Sequence, residues 1–144
     1  MKLRVLDIHK QEWNVEVNEN RACSYYISLK NVHECEKYLV ELWYKSRCII
    51  SQFRSRSNYL PIHISKFHEV DPEDISCPFC DSMNAGDESH YLLNCPYFTD
   101  YRESLINDNV CLDVNLYDSI ENLKKCIPFM EHIMFECKDI LTCL

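Results

Sequence analysis

Four residues in the middle of the chain have the types and spacing of a metal-binding site. Cys77 and Cys80 are followed by His90 and Cys95, which gives the pattern Cys-x2-Cys-x9-His-x4-Cys. Thiolate sulfur and imidazole nitrogen are the donors that zinc takes in tetrahedral sites, at about 2.3 and 2.0 Å. Because the set supplies all four ligands, no position stays open for water. We therefore expect one structural zinc ion in a CCHC site rather than a catalytic one.

The residues between the ligands suit a small folded knuckle. The loop of residues 81–87 is rich in turn-forming residues and contains Gly86, the only glycine of the chain, where the backbone must reverse between the ligand pairs. Residues 88–94 are predicted to form a short helix that carries His90 inward, with acidic residues at its start, where the helix dipole favours negative charge. The loop is thus expected to bring both ligand pairs to one point.

Cysteine chemistry other than metal binding is the main alternative. Cys77-Pro78-Phe79-Cys80 also resembles the active-site motif of glutaredoxins, whose first thiol lies at a helix N-terminus after a buried strand. Residues 70–76 are instead acidic and not strand-like, and acidic neighbours raise a thiol pKa. We therefore prefer metal binding. The remaining cysteines are interpreted as small apolar residues, and they are Cys23, Cys35, Cys48, Cys111, Cys126, Cys137 and Cys143.

Length and composition restrict the possible functions. The chain has 144 residues, of which 47% are hydrophobic and 26% charged, as is ordinary for a globular domain. A single glycine cannot build a P-loop or a dinucleotide-binding turn, so those folds are excluded. The first ten residues contain no uninterrupted apolar stretch. We therefore expect a nuclear or cytoplasmic protein that is neither secreted nor held in a membrane, in which thiols stay free or bind metal.

Charge is distributed unevenly along the chain. The formal net charge is −8, made up of −1 over residues 1–41, +5 over residues 42–68 and −12 over residues 69–144. The basic middle segment also contains aromatic residues, a mixture that suits phosphate contacts with base stacking. Its predicted nucleic-acid contacts are Lys45, Arg47, Arg54, Arg56, Tyr59 and Lys66. The alternatives are a solvated helix face and, given the acidic remainder, a protein-interaction surface.

Apolar periodicity predicts a mostly α protein of one domain, residues 1–144, with a central zinc knuckle. The predicted parts are a helical N-terminal part over 9–58, the knuckle over 70–98 and a helical C-terminal part over 96–143. Helices are expected over 9–17, 34–56, 96–107, 116–123 and 128–140. Residues 59–76 alternate in places and are expected to run extended, which allows a short β-hairpin.

Three stretches carry a resemblance to a known family. They are Gln11-Glu12-Trp13, residues 53–62 (FRSRSNYLPI) and residues 87–98 (DESHYLLNCPYF). With the cysteine pair, they make residues 11–106 similar to the zinc-binding region at the C-terminus of non-LTR (LINE-type) retrotransposon reverse transcriptases. The resemblance implies contact with template RNA or target DNA, and an upstream reverse transcriptase as a partner. The chain contains no Asp-Asp pair, so polymerase activity does not carry over and we expect no enzyme.

The sequence is therefore compatible with three functions. The first is a zinc-binding, non-catalytic nucleic-acid-binding module of a transposable element. The second is a zinc-stabilised protein-interaction domain that does not bind nucleic acid. The third is a thiol oxidoreductase, which would need a reactive thiol of low pKa at Cys77.

Overall fold

The computed structural model describes residues 2–20, 23–29, 33–64, 75–83, 86–112 and 114–142. Within them the protein is mostly α, as the sequence predicted, and no strand is present, since Ser76 makes only an isolated bridge. The α-helices are α1 (Lys2–Glu19), α2 (Ser24–Leu29), α3 (Lys37–Glu41), α4 (Tyr44–Ser55), α5 (Pro61–Ile64), α6 (Thr99–Asn107) and α7 (Ile120–Thr142). A π-helical turn forms at His90–Asn94, and 3-10 turns form at Pro96–Phe98 and Val114–Asp118. In the described part of the chain, no helix is long and apolar enough to cross a membrane.

The core lies between α4 and α7, which pack against each other. α4 buries Ile49, Ile50 and Phe53 on one face, at the spacing of an amphipathic helix. α7 contributes a longer buried row, which consists of Leu123, Cys126, Ile127, Phe129, Met130, Ile133 and Cys137. Tyr91, Leu92 and Phe98 join the same core from the segment that carries the predicted metal ligands. That segment is therefore anchored to the main helices by apolar packing.

The single helix predicted over residues 34–56 is wrong in its extent, because the chain forms two helices there. The backbone is extended at Leu42 and Trp43, between α3 and α4. The Arg47 side chain donates to the Leu42 carbonyl, and the Arg47 N–H donates to the Trp43 carbonyl at 3.0 Å. These bonds satisfy carbonyl groups at the break. Leu42 stays buried, whereas Trp43 is 87% exposed.

Of the two helices predicted around Pro128, the one over 128–140 lies within α7, whereas the one over 116–123 is divided between the 3-10 turn Val114–Asp118 and the start of α7. Proline inside a helix removes one backbone hydrogen bond, here to the Lys124 carbonyl, at a cost of about 3 kcal/mol. Pro128 and Lys124 both lie on the exposed side of α7, where water can bond to that carbonyl. The buried row continues past Pro128 without interruption. Burial of this row outweighs the local cost and keeps the helix continuous.

Other predicted elements differ from the structure mainly in length. The helix predicted over 9–17 is part of the longer α1, which contacts α2 through Trp13 and Tyr26, with ring centroids 6.5 Å apart. Of the segment 59–76, predicted to be extended, Pro61–Ile64 forms one helical turn, and residues 65–74 lie outside the described residues. The helix predicted over 96–107 is confirmed as a 3-10 turn followed by α6.

Candidate metal centre

The structure brings the four predicted metal ligands together. The ligand atoms of Cys77, Cys80, His90 and Cys95 all lie within 4.8 Å of one another. Cys77 Sγ is 3.8 Å from Cys95 Sγ, and Cys80 Sγ is 3.4 Å from His90 Nε2. The sulfur separation is much longer than the 2.03–2.05 Å of a disulfide bond, so these thiols are free. The cluster could hold a metal ion.

A π-helical turn explains how ligands five residues apart converge. In an α-helix, five residues rotate through about 500°, which leaves the two side chains about 140° apart. Here the Cys95 N–H donates to the His90 carbonyl with an N···O distance of 2.7 Å. The backbone thus closes over five residues, and the turn is wider than an α-helical turn. The short helix predicted over 88–94 is confirmed as helical, with π geometry at the ligands.

Two polar side chains of the loop support the ligands, and sequence analysis missed both. Asp87 Oδ1 accepts a hydrogen bond from the His90 N–H at 2.7 Å, which caps the start of the ligand turn. Ser82 Oγ lies 2.8 Å from Cys80 Sγ. The signal for Asp87 was its position three residues before His90, which is the spacing of an N-cap contact. Both contacts restrict the orientation of a ligand.

Gly86 is required for a close approach rather than for a left-handed turn. Its φ lies outside the left-handed region. A Cβ atom at this position would lie 2.5 Å from Tyr91 Oη and 3.1 Å from Tyr91 Cζ. Tyr91 is fully buried and packs edge-to-face on Phe79 and Phe98, so its ring cannot move aside easily. The sequence predicted that Gly86 allows the backbone to reverse in this loop, and the structure shows that the missing side chain also leaves room for the Tyr91 ring.

Arg102 of α6 holds the carbonyl groups at the end of the ligand turn. Its Nη1 donates to the Tyr91 carbonyl at 3.3 Å, and its Nη2 donates to the Cys95 carbonyl and to Thr99 Oγ1. The side chain is buried, so these bonds replace the water that the guanidinium and the carbonyls lose. Burial lowers the pKa of Arg102 from its ordinary value. Nothing in the ligand spacing pointed to this residue.

The pKa values of the ligands differ because their surroundings differ. Burial raises the pKa of the Cys95 thiol to about 12. Burial also acts to raise the pKa of Cys80, but hydrogen bonds from Ser82 and the neighbouring thiols outweigh it, and the net pKa is lowered. Burial, together with the charge of Arg102, outweighs the opposing charge of Asp87 and lowers the pKa of His90. The imidazole is thereby favoured in its neutral form, which is the form that binds metal.

A second polar cluster, not anticipated from the sequence, lies beside the ligand turn. The Glu88 side chain is fully buried. Its Oε1 accepts a hydrogen bond from Asn58 Nδ2 at 2.9 Å and lies 2.5 Å from His63 Nε2. Its Oε2 lies 3.6 Å from Arg56 Nε. These contacts join the segment after α4 to the loop that carries the ligands.

Arg54 is not placed where it could contact a nucleic acid. Its side chain is only 3% exposed, and Nη1 lies 2.9 Å from Glu36 Oε2. Its guanidinium also lies over three aromatic rings, those of Tyr26, Tyr38 and Tyr117. Arg54 is therefore a buried partner of an acidic group and of aromatic rings. This position removes it from the predicted set of phosphate contacts.

Among the residues that the structure describes, the other predicted nucleic-acid contacts do not form one exposed cationic surface. Arg56 faces the buried Glu88, and Lys45 Nζ lies 2.6 Å from Glu131 Oε1 while its side chain remains 81% exposed. Tyr59 is 46% exposed, and the Lys138 ammonium lies 5.6 Å from the centroid of its ring. The half-buried Arg47 donates to a backbone carbonyl. Lys66 lies outside the described residues.

Comparison of the chain with protein-family models, with curated proteins and with solved structures found no match. The resemblance seen in the sequence thus stays an expectation, and the metal centre is understood from its own geometry. That geometry identifies a closed cluster of three thiols and one imidazole that could hold a metal ion.

Proposed function

We propose that the cluster of Cys77, Cys80, His90 and Cys95 binds one structural zinc ion. Three thiolates and one imidazole are a donor set that suits zinc. Two sulfur atoms that are each about 2.3 Å from a tetrahedral zinc ion lie about 3.8 Å apart, and the Cys77–Cys95 sulfur separation is 3.8 Å. This agreement is the observation that carries the proposal.

The proposed ion has a structural role. The four ligands fill a tetrahedral zinc shell, so no coordination position remains for a reacting water. Structural zinc in small peptides contributes on the order of 10 kcal/mol at neutral pH. In this chain the ion would tie the Cys77–Cys80 turn to the His90–Cys95 turn.

Replacement of one ligand tests this proposal. Cys80→Ser should lose zinc and reduce the melting temperature, because it removes one of four bonds to the ion. Cys35→Ser is the matched control, since Cys35 is exposed and distant in sequence from the ligands, and it should retain one zinc per chain. Full zinc content in the Cys80 variant would contradict the assignment.

We further propose that the zinc-stabilised domain is a non-catalytic module that binds RNA or DNA. The resemblance to the zinc-binding region of retrotransposon reverse transcriptases supports this proposal, as do the exposed aromatic side chains of Trp43 and Tyr44 beside Lys45 at the start of α4. The test is binding of the zinc-loaded chain to a labelled RNA at two salt concentrations. Phosphate contacts should make binding much weaker at the higher salt concentration.

A protein-interaction domain is the second candidate. It is favoured by the ion pairs that engage Lys45, Arg54 and Arg56, since these reduce the cationic surface available to phosphates. It is also favoured by exposed apolar residues of α1, which are Val5, Leu6, Ile8 and Val15. Binding to a protein through such residues would be insensitive to salt, which separates the two candidates.

A further inference from the structure

The break between α3 and α4 places two aromatic side chains in solvent. Trp43 is 87% exposed and Tyr44 is 77% exposed. Both line a surface groove of about 430 Å³, together with Val40, Leu42 and Arg47. Leu42 is buried and fixes the break in place. Aromatic side chains of this size are usually packed or bound to a partner, so their exposure at a fixed point suggests a contact surface.

The charges around this pair favour an anionic partner. Lys45 follows Tyr44 directly, and Arg47 lines the groove. The Lys45 side chain remains 81% exposed although it pairs with Glu131, which is 35% exposed, so solvent screens the pair and Lys45 can exchange its partner for a phosphate. Glu41 is the acidic residue of the groove lining, and its charge partly offsets these two cations. Lys45 and Arg47 are thus the cations closest to the aromatic pair in sequence.

Aromatic residues exposed elsewhere in the described part of the chain have different surroundings. Tyr97, Tyr101 and Phe135 are about half exposed, but their neighbours along the chain are acidic, namely Asp100, Glu103 and Glu136. The Tyr97 hydroxyl donates directly to Glu136 at 3.3 Å. Tyr59 also has an ammonium group, that of Lys138, close to its ring, but Tyr59 is only 46% exposed. Trp43 and Tyr44 therefore combine the greatest exposure with cationic neighbours.

We propose that Trp43 and Tyr44 form a stacking platform for the unpaired bases of a single-stranded nucleic acid, with Lys45 and Arg47 in contact with its phosphates. This inference rests on the nucleic-acid-binding function proposed above and names the surface that carries it. Bases stack on aromatic rings whatever their sequence. The platform therefore selects single strands, whose bases are accessible, over duplexes, whose bases are already stacked.

Fluorescence of Trp43 gives a direct test, because the chain has two tryptophans and Trp13 can be replaced. In the full-length, zinc-loaded Trp13→Phe protein, a single-stranded RNA should quench the remaining tryptophan, and labelled-RNA anisotropy should report the same Kd. Trp43→Ala should weaken binding about 5- to 150-fold, the range for loss of one stacked base. Phe135→Ala, which removes an exposed aromatic ring beside acidic residues, should leave the Kd unchanged. Lys45→Gln should reduce the dependence of log K on log salt by about one unit.

The outcomes distinguish failure of the platform from failure of the function. If the chain binds RNA in a salt-dependent way and Trp43→Ala binds equally well, the platform is wrong and the function stands. If the unmodified chain does not bind RNA or DNA at low salt, both are wrong. A Trp43 emission that shifts with protein concentration, together with a dimer in sedimentation that Trp43→Ala abolishes, would show that a second copy covers this surface. Circular dichroism and melting temperature should be unchanged in the Trp43 variant, since its side chain is exposed.

Discussion

At the residue scale, the candidate metal centre is held together by contacts behind the ligands as well as by the positions of the ligands themselves. Asp87 fixes the backbone of His90, and Arg102 holds the carbonyl of Cys95. Such contacts orient ligands, and their loss typically costs 10- to 100-fold in metal affinity. The ligand spacing could be recognised in the sequence because metal chemistry demands it. The supporting residues could not, because a buried arginine has no fixed spacing from the groups that it bonds.

Arg102→Lys is expected to weaken zinc binding about 10- to 100-fold. Lysine keeps the charge, but its single ammonium group cannot bond the Tyr91 and Cys95 carbonyls in the forked geometry of a guanidinium. Competition with a chromophoric chelator measures the affinity. Arg4→Lys, at an exposed position of α1, is the control. Equal affinities in the two variants would show that Arg102 does not support the site.

Gly86→Ala is expected to destabilise the protein by about 1–3 kcal/mol, the usual cost of overpacking. The added Cβ would lie 2.5 Å from Tyr91 Oη. Because that hydroxyl is the nearest atom, Tyr91→Phe should relieve much of the clash. Urea denaturation of both single variants and of the double variant gives the coupling energy. If the two substitutions change the free energy of unfolding additively, the contact between residue 86 and Tyr91 is not the source of the strain.

At the element scale, apolar periodicity predicted where helices occur but not where they break. The rows of α4 and α7 were visible in the sequence because burial repeats with the helical period. The break at Leu42 and Trp43 was not, because it depends on the Arg47 side chain, which bonds the Leu42 carbonyl. At Pro128 the error was the opposite one. Proline predicts the start of a separate helix, whereas burial of the apolar row of α7 keeps one helix continuous through this position. The π turn at His90–Asn94 likewise has no signal beyond the ligand spacing.

Pro128→Ala is expected to stabilise the protein by about 1–3 kcal/mol. Alanine restores a backbone donor for the Lys124 carbonyl within a helix that already exists, and proline is about 3 kcal/mol worse than alanine in such a position. Pro96→Ala is the matched control, because Pro96 starts a 3-10 turn, where its missing N–H is not needed. Thermal unfolding measures the stability of both variants relative to the unmodified protein. A loss of stability in Pro128→Ala would mean that proline helps to define α7.

At the scale of the whole molecule, buried thiols are expected to lower the stability of the protein at alkaline pH. Burial raises the pKa of Cys126 from 9.0 to about 12, and burial, outweighing a hydrogen bond from Tyr91, raises that of Cys137 to about 12. Above about pH 9 the unfolded chain loses these protons while the folded chain keeps them. The unfolded state then binds fewer protons, so the free energy of unfolding falls as pH rises from about 9 to about 12.

Cys126→Ala should therefore flatten this dependence. Each buried thiol contributes a slope of up to about 1.4 kcal/mol per pH unit in the window. The variant is expected to be less stable at pH 7, because a cavity remains, but to lose less stability between pH 9 and pH 11. Urea denaturation across this range is the measurement, with the exposed Cys35→Ser as control. If the free energies of unfolding of Cys126→Ala and of the unmodified protein fall in parallel with pH, the buried Cys126 thiol does not contribute to the pH dependence.

The charge pattern of the sequence does not show which cations reach solvent. The basic segment 42–68 contains all the cations that were predicted to contact phosphates. In the structure, Arg54 turns into the core and Arg56 faces Glu88, because acidic partners far away in sequence lie beside them. Sequence gives the number of charges in a segment, whereas the fold decides which of them reach solvent.

The first experiment to perform is a measurement of the metal content of the purified chain, followed by cobalt substitution. We expect one zinc per chain and a cobalt spectrum typical of tetrahedral coordination by three thiolates and one imidazole. We also expect that Cys80→Ser loses both, while Cys35→Ser keeps both. A purified chain that contains no zinc and takes up none when zinc is added, or a chain that keeps its zinc after loss of Cys80, would contradict the proposed centre.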